Sequence, residues 1–148
     1  MKALVIVDYQ NDHVIGPMGF KYAKLIEKNI CARIEDMISS RGDLFFVIDS
    51  FGEDYLDTAE GRRNPIVHCI RGTEGEQLYG EISRYSSKGH IIRKQTFGSD
   101  ELMRRLKSYD EIELCGLETN TDVMANAILA RTVNPSADVR IYQNCVAA

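Results

Sequence analysis

Short apolar runs alternate with stretches in which apolar residues return every three or four positions, and this alternation predicts strands interleaved with helices. Ala3 to Val7 reads as a buried strand. From about Tyr22 to Arg41, Ile26, Ile30, Ile34 and Ile38 recur with Leu25 and Met37 beside them, which predicts an amphipathic helix, and Gly42 stands where a left-handed cap belongs. Leu44 to Ile48 predicts a second buried strand. Asp49 to Gly75 carries glycines, a proline and charges without a sustained period, the mark of a long functional loop. A short helix is expected around Glu76 to Tyr85, then a third strand, His90 to Arg93, and a helix capped by Ser99 and running through Leu102 and Leu106. Glu111 to Cys115 reads as a fourth strand, after which Gly116 turns the chain. Thr119 or Asn120 is expected to cap a helix reaching about Thr132, Pro135 stops it, and Val139 to Tyr142 reads as a fifth strand.

These elements predict one α/β domain over residues 1–148, three-layered (αβα) and Rossmann-like, with right-handed crossovers and a mostly parallel sheet of five to six strands. In such sheets ligands bind outside the carboxyl ends of the strands. Suspicion therefore falls on Asp8, on Lys94, and on the stretch from Gly116 to Val123.

Composition narrows the function classes. With Lys+Arg 18 against Asp+Glu 22 the net charge is -4, and no basic cluster offsets it, so nucleic acid is not an expected partner. Hydrophobic residues at 44% and charged ones at 27% are those of an ordinary globular chain. The apolar runs fall far short of the roughly 18 residues a membrane helix needs, so no membrane association is expected. Met1-Lys2 leads straight into an apolar run and then Asp8, without a signal-peptide cleavage site, and a cytoplasmic location is expected. Cys31, Cys69, Cys115 and Cys145 are far apart with no CxxC pair, as reduced thiols would be.

If the topology holds, Asp8, Lys94 and Asp122 converge on one pocket. A lysine between two carboxylates would keep both ionised, and a helix N-terminus beneath Asp122 would add to this. The plainer alternative is a structural Asp8–Lys94 ion pair, with Asp122 merely a first-turn helix residue.

Leu4-Val5-Ile6-Val7-Asp8-Tyr9-Gln10-Asn11-Asp12, Gly72-Thr73-Glu74-Gly75, Lys94, and Gly116-Leu117-Glu118-Thr119-Asn120-Thr121-Asp122-Val123 together resemble the isochorismatase-like family of cysteine hydrolases and nicotinamidase relatives, from residue 3 to the end. The resemblance implies a sheet in the order 3-2-1-4-5, with a sixth strand in relatives. It also implies an Asp, a Lys and a nucleophilic Cys, the Asp taking the thiol proton and backbone amides holding the oxyanion. Asp8 and Lys94 match, but the nucleophile position falls on Asp122. A carboxylate is a weak nucleophile, so thiol chemistry is not expected, and neither Cys115 in its strand nor Cys145 beyond the last strand is expected to supply it. On the same resemblance His13, which replaces an aromatic wall residue, and Leu117, Glu118 and Thr121 line the substrate pocket. The amides of Thr121 and Asp122 face the oxyanion, and a cis peptide precedes Glu118.

Nicotinamidase-like members bind a divalent metal through an Asp-x-His after the second strand and a later His. This chain offers Asp49, Phe51 and His68, and Phe51 cannot ligate. Two groups fall short of the usual three, so neither a metal nor another cofactor is expected. True isochorismatases lack the cysteine and hydrolyse a vinyl ether by proton delivery from the Asp, but Asp122 would repel a dicarboxylate here. The expectation is therefore a hydrolase with a degenerate centre acting on a small cyclic amide, imide or vinyl ether. The alternative is an inactive homologue that binds a small ligand or serves as an oligomeric structural protein. Relatives continue through another helix that this sequence lacks, so a sheet face or edge should lie uncovered. A homo-oligomer is expected to cover it, unless the sequence is part of a longer chain.

Overall fold

Five strands form one sheet in the order β3-β2-β1-β4-β5, all parallel, in the computed structural model, which describes residues 1–148. They are β1 (Lys2–Val7), β2 (Asp43–Asp49), β3 (His90–Lys94), β4 (Glu111–Leu117) and β5 (Asp138–Ala147). The helices are α1 (Asn11–Val14), α2 (Glu27–Ser39), α3 (Ala59–Arg63), α4 (Asp100–Arg105) and α5 (Met124–Val133). β1 is apolar at successive positions because helices cover both faces of a parallel sheet. Leu4 and Ile6 meet Ile30, Ile34 and Met37 of α2 on one face, while Ala3, Val5 and Val7 join Leu102 of α4 and Ala127 and Ala130 of α5 on the other. No helix is long and apolar enough to cross a membrane.

Several local expectations are corrected. The left-handed residue after α2 is Arg41, at φ 61, not Gly42. Arg41 N–H donates to Ile38 O and Gly42 N–H to Met37 O, the paired bonds of a Schellman cap. Gly42 is small for a different reason: a Cβ there would overlap the Met37 thioether. The long segment after β2 contains α3, started by Thr58, whose hydroxyl accepts the Gly61 N–H at 3.1 Å. The helix expected around Glu76 is a 3-10 stretch at Gly80–Lys88. Neither Thr119 nor Asn120 caps a helix, since Thr119–Val123 forms a π-type turn that enters α5 directly.

β5 runs past Tyr142, because a register shift between Leu114 and Gly116 lets Val146 and Ala147 pair again with β4. Beside it Met124 and Ile128 of α5 are 44% and 58% exposed and, with Val139 and Ile141 of β5, line an apolar groove.

Candidate active site

β1, β2 and β3 end side by side, and the side chains at their ends meet around one ammonium. Asp8 follows β1 with φ 52, a left-handed conformation that aspartate adopts more readily than most residues. Asp49 closes β2, Lys94 closes β3, and Asp122 sits in the π-type turn after β4. Lys94 Nζ lies 2.6 Å from Asp122 Oδ2, 2.8 Å from Asp49 Oδ1 and 3.2 Å from Asp8 Oδ2, and it donates to Thr96 O at 2.9 Å. Asp8, Lys94 and Asp122 thus come together, and Asp49 joins them as a third carboxylate.

Three acids around one base do not share its charge equally. Asp8 is 1% exposed and its Oδ1 has no hydrogen-bond partner. Burial, then the charges of Asp122 and Asp49, hold its pKa well above the carboxylate range, with Lys94 only partly opposing. The expectation that lysine keeps both flanking acids ionised therefore fails at Asp8. Burial also works against the Asp49 carboxylate, but Lys94 and His13 overcome it and lower its pKa. For Lys94, burial is outweighed by Asp8, Asp49 and Asp122, which hold the ammonium more firmly protonated than an ordinary lysine.

The polar residues after Asp8 are scaffolding that was not foreseen. Gln10, fully buried, donates to Asp49 O and Glu76 O at 2.7 and 2.8 Å and accepts the Asp49 N–H at 3.0 Å. Asn11 donates to Glu74 O, and Asp12 Oδ2 accepts the Cys69 N–H at 2.8 Å. Gly75 packs against this anchor so closely that a Cβ would overlap the Asp12 carboxylate. Asn126 braces the other side, donating to Asp122 O and Phe97 O and accepting the Ser99 N–H.

The cavity above the cluster has a volume of about 180 Å³. Its wall includes Asp122, Asp49, Thr121, Glu118 and His13, whereas Asp8 and Lys94 stand behind Asp122. Leu117 does not line it: strand alternation buries that side chain completely in the α2-facing core and turns Glu118 to the cavity. The Leu117–Glu118 peptide is cis, as expected. The Thr121 amide does not serve as an oxyanion donor, because its N–H points to Glu118 O at 3.3 Å. The Thr121 hydroxyl instead donates to Asp122 Oδ1 at 3.0 Å. Cys69, Cys115 and Cys145 are buried and absent from the cavity wall, and burial pushes each thiol pKa up, the reverse of activation.

One premise about metal ligands is overturned. Asp49 and His68 are not left as a pair, because His13 joins them, and one ligand atom from each lies within 4.8 Å of the others. His13 Nε2 is 2.9 Å from Asp49 Oδ2, and the His13 and His68 rings meet edge to face at 5.2 Å. Burial lowers the His68 pKa, favouring the neutral ring. Two imidazoles and a carboxylate suit zinc or another divalent transition metal. His90 plays no part, being exposed on β3 and stacked on Phe45.

The family model described as the isochorismatase domain matches residues 2–148. An uncharacterized isochorismatase family protein, PncA, of Bacillus subtilis (strain 168) is 27% identical over 161 residues, spanning 99% of this chain and 86% of that protein. The crystal structure of nicotinamidase/pyrazinamidase PncA from Bacillus subtilis superposes with a TM-score of 0.85 at 28% identity, covering 99% of this chain and 86% of that one. N-carbamoylsarcosine amidase from Thermoplasma acidophilum shares the fold, with a TM-score of 0.83 at 22% identity over 99% of this chain and 84% of its own.

Proposed function

The chain belongs to the isochorismatase family of hydrolases, and from that footing we propose that it hydrolyses a small neutral cyclic amide or imide without a thiol nucleophile. The observation that supports this reading is the Asp122 side chain, which faces the cavity from the nucleophile position while Lys94 holds it at 2.6 Å. Asp122 acts as general base and then general acid. It accepts a proton from water as the oxygen adds to the carbonyl carbon, and it returns that proton to the nitrogen as the C–N bond breaks. Lys94 and Asp8 do not touch the substrate; they position Asp122 and set its charge. A vinyl ether would need the reverse order, with carbon protonated first and water adding to the resulting cation.

Charge and volume restrict the substrate. Leaving Asp8 aside, Asp49 and Asp122 still face a single ammonium, and Glu118 adds another acid to the wall, so an anionic substrate is repelled. A cavity of about 180 Å³ admits a molecule the size of a single substituted ring. The nearest cavity arginine, Arg63, is paired with Glu60 at 2.7 Å and lies over the Phe97 ring. Amides are favoured because relatives named nicotinamidase and N-carbamoylsarcosine amidase act on C–N bonds.

A second reading, ligand binding without turnover, is favoured by one observation: both Asp122 oxygens already accept hydrogen bonds, from Lys94 and from Thr121. Ammonia release from nicotinamide and pyrazinamide, together with ring opening of a panel of cyclic imides followed by chromatography of the amide-acid product, separates the two. The hydrolytic reading expects turnover by the wild type that falls at least about 100-fold in Asp122→Asn. It also expects Asp122→Cys to gain nicotinamide hydrolysis. No turnover by either protein, with an amide still raising the melting temperature, would establish the binding reading instead.

A further inference from the structure

We propose that Arg71 and Arg93, beside the end of β3, form a binding site for the phosphoryl group of a small polar phosphate ester. Successive side chains of a strand leave it on opposite faces, so Lys94 enters the charge cluster and Arg93 points away from it. Arg71 is brought to the same place by a parallel bridge between Phe51 and Ile70: the Phe51 N–H donates to Cys69 O at 2.9 Å and the Arg71 N–H to Phe51 O at 2.8 Å. Both guanidiniums are then held from behind. Arg71 Nε donates to the Ser50 hydroxyl at 3.0 Å and Arg93 Nε to Glu76 Oε2 at 3.2 Å, and both acceptor residues are buried. The Ser50 hydroxyl hydrogen-bonds the Glu76 carboxylate in turn, so the two anchors form one unit. Neither arginine spends its Nη groups on the protein, and Arg71 pairs with no acid. Two planar forks with Nε fixed and Nη free are oriented donors with little freedom left to lose on binding.

The turn that follows β3 completes the donor set. Together with Gln95, Thr96 and Gly98, the arginines border a concavity of about 350 Å³ whose lining has no apolar side chain. The N–H groups of Gln95, Thr96 and Gly98 donate to no acceptor of the protein. Free amides close together in a turn, beside cationic forks, make the kind of concavity that takes up oxyanions. Asp100 also borders it, but Arg104 donates to that carboxylate at 2.9 Å and matches its charge. Two forks and three amides exceed what the two oxygens of a carboxylate can accept, and they suit the three oxygens of a phosphoryl group. The concavity is larger than the anion alone, and its polar wall fits the hydroxyl-bearing remainder of an ester. A site for an anion here is compatible with the acidic cavity above Asp122, because the two share only Thr96, whose hydroxyl donates to Glu60 at 2.6 Å.

The test reads binding directly and is independent of the hydrolytic reading. The protein is titrated with inorganic phosphate and with glycerol phosphate by calorimetry, and the backbone amides are followed by NMR. Each anion should bind once per chain, shift the amide signals of Gln95, Thr96 and Gly98, and bind more weakly as sodium chloride is added. Tighter binding of glycerol phosphate supports the ester, whereas tighter binding of inorganic phosphate overturns the ester and assigns the same site to the free ion. Arg71→Gln should weaken both by about 10- to 100-fold, as expected for loss of a charge-assisted hydrogen-bonding group. Arg93→Gln should show the same loss. Folding of each variant is checked by circular dichroism, and Arg71→Gln, which breaks no ion pair, carries the test alone if the Arg93 variant fails. Absence of saturable binding at millimolar phosphate, amide shifts confined to other parts of the chain, or undiminished affinity in folded Arg71→Gln overturns the proposal while leaving the Asp122 chemistry to stand or fall on its own assay.

Discussion

Asp122 and Lys94 meet at 2.6 Å, the tightest of the three carboxylate contacts on that ammonium, although 28 residues separate them in sequence. A carboxylate at this position reaches back into the charge cluster and forward to the cavity at once.

Lys94→Met keeps most of the buried stem and removes the only ammonium among three acids. Stranding buried charge of this kind costs about 3–5 kcal/mol at pH 7. Asp8 and Asp49 then lose the charge that opposed their protonation, so their folded pKa values rise. A raised folded pKa lowers stability above the unfolded pKa and restores it below, so the deficit should shrink as pH falls from 7 toward 4. Melting curves across that range check it, and a deficit independent of pH would point to lost packing instead.

Asp8 and Asp49 should respond oppositely to the same isosteric change. The folded pKa of Asp8 is raised, so its ionised form weighs against the fold at neutral pH, and Asp8→Asn should raise stability by about 1 kcal/mol or more. Asparagine also tolerates the backbone at φ 52. The folded pKa of Asp49 is lowered, so its contribution is present above the unfolded pKa and Asp49→Asn should cost about 1–3 kcal/mol at pH 7. Denaturant midpoints of both variants measure the contrast.

Glu76 ties the 72–76 loop to β3. Burial opposes its charge, but the Ser50 hydroxyl, the Gly72 N–H and Arg93 together lower its pKa. That stabilisation is complete above the unfolded value of about 4.3 and disappears as pH falls through the lower folded value. Glu76→Gln should therefore lose about 1–2 kcal/mol at pH 7, and the loss should shrink steadily as pH falls below about 4.3, as read by urea unfolding across that range.

Arg41→Gly should stabilise by about 0.5–1 kcal/mol, because a left-handed arginine at φ 61 carries a Cβ penalty that glycine lacks. Chemical denaturation of the pair is sufficient to see it. This position also shows where sequence reading reaches its limit. Gly42 looks like the cap because glycine usually takes that role, but packing against Met37 had already claimed it.

The α/β order and the meeting of Asp8, Lys94 and Asp122 were legible because apolar runs mark strands and a parallel sheet gathers whatever follows them. Other features depended on contacts that spacing does not encode. Leu117 turned inward by strand alternation, and the Thr121 amide was taken by Glu118 O. His13 joined Asp49 and His68 across 36 and more residues, visible only once α1 was placed over the end of β2. Its one sequence signal was a histidine where an aromatic was expected.

Asp12 accepts the Cys69 N–H, and Gly75 leaves room for its carboxylate to do so. Helix α1 and the segment bearing His68 therefore behave as one mechanical piece, hinged on a single acid. Enlarging residue 75 would act at a distance, tilting the floor beneath His68 and His13 together without altering any side chain that faces the cavity.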